Sequence, residues 1–161
     1  MQEASFNTWT IIFLFAAVQG LFLAVVLFSE KKGDRLANQI LAILILSFTL
    51  MLLYYVAFWT RYNLKLVIFE GFTWPVPLLF GPLVYLYLKK ITSTRLEKLD
   101  LLHFIPFIIS FAYLMPFLIS SVEEKQRILE TIRTGAKYKE FGYISIFAVN
   151  ISLLVYTFLI F

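Results

Sequence analysis

The chain of 161 residues is 61% apolar and 19% aromatic, with 15% charged residues and a net charge of +4. That leaves too little polar surface to clothe a particle in water, and without cysteine there is neither a disulfide framework nor a thiolate metal site. The basic residues are scattered through short intervals, not gathered into the stripe that nucleic-acid binding demands.

Five apolar stretches are predicted as transmembrane helices, over 10–28, 39–58, 66–88, 101–119 and 144–161. At about 1.5 Å rise per residue each reaches roughly 27 to 34 Å, which matches a hydrocarbon core of about 30 Å. Runs such as Ile40-Leu41-Ala42-Ile43-Leu44-Ile45-Leu46 lack the period-two alternation of a β-barrel span. The expected fold is therefore an all-α integral membrane protein, one domain over 1–161 built as a bundle of five transmembrane helices.

The first span is read as a retained helix and not a secretory signal, because residues 1–8 carry only Glu3 and 21–28 offer no small-residue cleavage site. Midway along it, Gln19 lies beside Gly20, where a small residue permits close approach and the amide can bond to a neighbouring helix. Interhelical packing is the expected role there, ahead of ligand binding, and the same holds for Ser47 and Thr49 in the second span and Asn150 in the fifth.

The third span contains Glu70, shortly before Trp74-Pro75-Val76-Pro77. A carboxylate within a span marks a proton or cation site by default. Two prolines cannot both sit in a regular helix interior, so this helix is expected to begin near Pro75 or Pro77, leaving Glu70 in a loop or at the interface. Residues 66–74 then lie irregular at the interface or form a partial helix shielded by protein. Pro106 and Pro116 in the fourth span, with Gly81-Pro82 in the third, predict kinks in both helices. Pro75, Pro77, Gly81, Pro82, Pro106 and Pro116 are the hinge candidates.

Asp100 and His103 stand three apart at the start of the fourth span and share a helix face. Asp100 is expected to complement the helix dipole at that N-terminus, with a local pair to His103 as the alternative. Glu70 and His103 are expected near opposite membrane faces. The hydrophilic segment 120–143 carries Val122, Ile128, Leu129 and Ile132 at helical spacing until Thr134-Gly135, and is read as an extramembrane amphipathic helix. The chain stops at Phe161 inside an apolar run, and a longer chain is expected.

Loop charges divide evenly: Lys31, Lys32, Arg35, Lys89, Lys90, Arg95 and Lys98 oppose Arg61, Lys65, Lys125, Arg127, Arg133, Lys137 and Lys139. Lys89-Lys90 abuts a helix end, and the charges of the longest segment sit farther from helix ends, which favours the N-terminus outside. No nucleophile stands with a base, no span holds paired carboxylates, and no glycine loop cradles phosphate, so no enzyme, cofactor or metal site is expected.

Several segments resemble counterparts in a known family: Ala17-Val18-Gln19-Gly20-Leu21-Phe22-Leu23, Asn38-Gln39-Ile40-Leu41-Ala42, Trp74 through Tyr87 with its Phe80-Gly81-Pro82, and Asp100 through Phe107 with its His103-Phe104-Ile105-Pro106. Together they look like the membrane-embedded N-terminal half of certain bacterial AraC-type transcriptional regulators. The resemblance implies a bundle of about seven transmembrane helices followed by a cytoplasmic helix-turn-helix domain. Here the final helices and the DNA-binding domain are absent, so no nucleic-acid contact is expected from this chain.

These readings lead to a non-catalytic sensor or anchor module in a bacterial cytoplasmic membrane, passing an envelope signal inward. Its expected partners are the lipid bilayer, an envelope ligand or membrane protein, and a second copy in a homodimer. Glu70, Trp74, Gln19, His103 and Asn150 are the sensing candidates. A small proton-coupled transporter using Glu70, or a passive anchor or assembly subunit, are the alternative functions.

Overall fold

Asn7 and Asp34 begin the first two helices. In the computed structural model, which describes residues 7–60, 62, 67–92, 95–134 and 139–160, with backbone alone at 68 and over 132–134 and 139–146, helix α1 spans Thr8–Ser29. The Asn7 side chain accepts the Thr10 N–H at 2.9 Å while Thr10 Oγ1 accepts the Asn7 N–H at 3.0 Å, a reciprocal cap that satisfies two orphan donors. Helix α2, Arg35–Trp59, starts where Asp34 Oδ1 accepts the Leu36 and Ala37 N–H groups, both at 3.0 Å.

The third apolar stretch is not one helix over 66–88, and it breaks ahead of the two prolines as expected. It forms an isolated 3-10 turn at Val67–Phe69, turns through 70–75, a 3-10 turn at Val76–Leu79 and then helix α3, Phe80–Ile91. Proline explains the break: Pro75 precedes the second turn and Pro77 opens it, so neither is asked for an N–H that it lacks. At about 2.0 Å per residue for four 3-10 residues and about 1.5 Å for twelve helical ones, the 76–91 rod still reaches roughly 26 Å.

Helix α4, Ile105–Leu118, is also led by a 3-10 stretch, Lys98–Phe104. Pro82 and Pro106 lie in first turns, where a missing N–H costs little, and Pro116 is inside the last turn of α4. Their placement removes the interior clash that underlies a proline kink, at every proline except Pro116. Helix α5 is Val122–Thr134 and helix α6 is Lys139–Ile160, five residues ahead of the expected fifth span.

Among the described residues, three helical stretches are long and apolar enough to cross a membrane: Thr8–Ser29, Arg35–Trp59 and Lys98–Leu118. Of the five expected spans, the third is too short as a helix, and the last is described as an apolar helix over Phe147–Ile160. Phe15, Ile109 and Phe158 lie exposed, at 72%, 63% and 77%, a surface that hydrocarbon accepts and water does not.

Helix α2 is central, with α1 on one side and α3 on the other, and α6 packs against α3. The α1 contact is built on a seven-residue spacing: Thr10, Ala17 and Ala24 are buried on α1, and Ala42, Thr49 and Val56 on α2. Small side chains let two backbones approach closely, which is the main source of helix attraction where lipid offers apolar contact equally. A Cβ at Gly20 would meet Thr49 Oγ1 and, at 3.8 Å, Ile45. On its other face, α2 places Ile40 and Leu44 against Leu83 and Leu86 of α3, with Phe48 stacked on Phe80 at 4.1 Å.

Substituting Gly20→Val therefore forces Thr49 to turn away from the Ile45 carbonyl it donates to at 2.9 Å. A loss of about 1–3 kcal/mol is expected from overpacking. Thermal unfolding in detergent should show it, and adding Thr49→Ala should recover part of the loss in a double-mutant cycle.

Candidate functional site

Two polar clusters sit at opposite ends of the bundle. The first surrounds Glu70, which lies in the turn after Val67–Phe69 and is only 6% exposed. Tyr54, from the last two turns of α2, donates its hydroxyl to Glu70 Oε1 at 2.7 Å. Gly71 follows with φ +92, and a Cβ there would meet the Phe117 ring at 2.7 Å, so glycine is required twice over. The Trp74 side chain reaches the same Tyr54 phenol and stacks on Phe117 of α4, with centroids 5.3 Å apart. Lys125 of α5 is 1% exposed, its ammonium 5.6 Å from the centre of the Phe117 ring. Thus α2, α4, α5 and the irregular third segment meet at one place.

The second cluster joins α3, the 3-10 stretch that leads into α4, and α6. Tyr156 of α6 lies over Gly81, where any Cβ would strike its ring, and its hydroxyl shares a 2.8 Å hydrogen bond with His103 Nδ1. Tyr85 packs beside both rings, 4.9 Å from His103 and 6.1 Å from Tyr156. One turn further along α3, Lys89 bonds to Asp100 Oδ1 at 2.7 Å, while Asp100 Oδ2 accepts the Glu97 N–H at 2.6 Å. Lys90 reaches Asp34 at 2.9 Å and so ties α3 to the α1–α2 turn. An open cavity of about 420 Å³ adjoins this end, lined by Tyr85, Leu88, Lys89, Thr92, Leu159 and Ile160.

The expected residues divide accordingly. Glu70 and Trp74 share the first cluster, His103 belongs to the second, and the two ends are separated as expected. Asp100 does cap its helix start, but its close cation is Lys89, and His103 turns to Tyr156 instead of forming a pair with Asp100. Gln19 is exposed on α1, and its neighbour Gly20 makes the interhelical contact. Ser47 and Thr49 are buried, yet each donates to the carbonyl four residues back on its own helix, at 2.8 and 2.9 Å, because that acceptor is always in reach. Asn150 is exposed on α6.

In α5 the inward face is Lys125, Ile128 and Leu129, while Val122 is 40% exposed and the Ile132 side chain lies outside the described residues. Tyr54, Lys125 and Tyr156 were not singled out from the sequence. Helical spacing carries a signal for Lys125, which stands three and four residues before Ile128 and Leu129. Nothing local marks Tyr156, whose partners are far away in the chain.

Among the described residues no three His, Asp or Glu side chains gather as a metal site would require. What the Glu70 cluster offers is a shielded carboxylate bonded to a phenol, beside a stacked aromatic pair: chemistry for recognition of charge. No protein-family model, characterised protein or solved structure matches the chain.

Tyr54→Phe removes the donor to a buried carboxylate, so a loss of about 1.5–3 kcal/mol is expected in detergent unfolding, against near-neutral behaviour for Tyr55→Phe on the exposed side of α2. At the other end, the Ala37 N–H first and the Lys90 ammonium next hold the Asp34 carboxyl below the usual carboxylate range. Its contribution is therefore complete above the ordinary Asp value of about 3.9 and is lost as pH falls through the lower folded value. Asp34→Asn should lower the unfolding midpoint at neutral pH and flatten its fall in that acid window.

Proposed function

We propose that this chain is the non-catalytic, membrane-embedded signalling module of a one-component regulator of the AraC-type kind, receiving a signal at the Glu70 cluster. The observation that carries the reading is the convergence of α2, α4, α5 and the irregular third segment on one buried carboxylate. A group so placed feels any change in how those four elements pack.

In this reading the chain crosses a bacterial cytoplasmic membrane five times with its N-terminus outside. The third crossing is the composite 3-10 and α rod. The Glu70 end then faces the envelope and the Lys89–Asp100 end faces the cytoplasm. Helix α2 runs between them, touching Glu70 through Tyr54 at one end and Lys90 through Asp34 at the other. The junctions at Leu79–Phe80 and Phe104–Ile105, with Pro82 and Pro106 close by, supply places for repacking. A signal drives such repacking only by binding one arrangement more tightly than the other.

A proton-coupled transporter built on Glu70 draws support from the burial of that carboxylate. Its position in a turn at one end of the bundle favours sensing instead, since a coupling carboxylate has to be reached from both sides in turn.

Glu70→Ala and Trp74→Ala in the intact regulator are expected to shift the inducing concentration or basal output by about fivefold or more, the usual scale of coupling between sites. A reporter driven by the regulator's own promoter reads this. Output unchanged by both substitutions across inducing conditions would remove the proposed sensing surface.

A further inference from the structure

Helix α1 carries a second seam besides the one that holds α2. Thr10, Ala17 and Ala24 are buried toward α2, while Ile12, Phe15, Gln19, Phe22 and Val26 are all exposed. Those five recur at alternating steps of three and four, the spacing with which one helix meets another along a coiled-coil seam. At about 100° per residue the two sets point in nearly opposite directions, so α1 has room for α2 and a further helix at once. Phe15 and Phe22, 72% and 65% exposed, are the large side chains on either side of the seam's centre.

At that centre stands an amide. Gln19 falls midway along the 22 residues of α1, the depth farthest from water when the helix crosses a bilayer. The hydroxyls of Ser47 and Thr49 reach carbonyls on their own helix, but among the described residues Gln19 has no hydrogen-bond partner. An amide left bare in hydrocarbon is costly, and a bond across to another helix is the ordinary remedy.

The chemistry of the amide names the partner. A glutamine side chain offers one carbonyl and one NH2 group, so two of them facing each other donate and accept reciprocally. Copies of the chain inserted with one orientation hold their α1 helices parallel, and a two-fold axis between them brings each seam residue beside its own counterpart. Gln19 then meets Gln19, where a single polar residue in an apolar seam fixes register. We propose that the outer face of α1 is a homodimer interface, closed at its centre by a reciprocal pair of Gln19 amides between the Phe15 and Phe22 rings. The apolar seam supplies contact area, and the amide favours a second copy over lipid or an apolar helix. The dimer requires only that α1 cross the bilayer, and it holds whatever signal reaches the Glu70 cluster.

The test uses the whole chain in liposomes at high dilution in lipid. The natural chain lacks cysteine, so single substitutions report which faces meet. Under copper–phenanthroline oxidation Phe15→Cys and Phe22→Cys should give disulfide-linked dimers, whereas Leu14→Cys and Leu21→Cys, exposed but off the seam, should not. Energy transfer between copies labelled at Lys31→Cys, an exposed site beyond the end of α1, then gives the dissociation constant. Gln19→Leu should raise it about tenfold, the scale of two interhelical hydrogen bonds in a membrane. Gln19→Asn keeps an amide and should recover most of that loss. Gln19 is exposed in the single chain, so neither substitution asks the fold to repack. Monomers at every protein-to-lipid ratio, whether the seam lies bare or under some other helix, overturn the inference. So does stronger cross-linking at Leu14 and Leu21 than at Phe15 and Phe22, or an unchanged dissociation constant in Gln19→Leu.

Discussion

Between Val67 and Leu79 the backbone leaves regular helix, and its amides must find partners outside the helical ladder. Most of what lies around that segment serves to cover it. Short 3-10 turns pair some of the groups internally, with Glu70 and Trp74 N–H donating to the carbonyls of Val67 and Gly71 at 3.0 and 3.2 Å. Helix α5 lies across the first turn, and Phe117 of α4 closes against Gly71. The polar cluster is a by-product of the same requirement, because a segment that has left the helix brings its side chains to one spot, and there Glu70 finds Tyr54.

Helix α2 makes that local solution felt elsewhere. Its two buried faces are of different kinds, a close small-residue contact toward α1 and a larger-residue contact toward α3. The first is intolerant of added volume, and the second interdigitates Ile40, Leu44, Leu83 and Leu86. A rod held so on two sides is fixed by both contacts at once. Ion pairs at its far end, Lys90 with Asp34 and Lys89 with Asp100, bind the turn, α3 and α4 together. They are partly exposed, so their role is chiefly to fix geometry.

How far the sequence foretold this follows from the range of each interaction. The apolar runs marked the first two helices directly, while the caps at Asn7 and Asp34, which start them ahead of the expected spans at 10 and 39, were not singled out. The helical spacing of Val122, Ile128 and Leu129 marked α5 likewise, and the expected stop at Thr134-Gly135 falls at the edge of the described residues. Prolines signalled the break in the third segment, yet the count of turns needed to repair it was set by tertiary cover and not by local preference. Polar side chains inside helices were read as links to neighbours, whereas Ser47 and Thr49 satisfy themselves on their own backbones. Glu70 and Trp74 were found because a carboxylate and a proline-flanked indole stand out in an apolar run. Lys125 was counted with the loop charges, since its burial depends on Phe117 and the 67–69 turn, and Tyr156 owes its place to Gly81 and His103.

The seven-residue 3-10 stretch that leads into α4 has a mechanical consequence. A 3-10 helix advances about 120° and 2.0 Å per residue, against about 100° and 1.5 Å for an α-helix. Rewinding all seven residues to α would shorten the rod by roughly 3.5 Å and twist its two ends by roughly 140° relative to each other. His103 sits on this stretch, so the bond to Tyr156 acts as a pin on a screw thread. The winding of this stretch thereby sets the azimuth at which Asp100 and His103 face their partners.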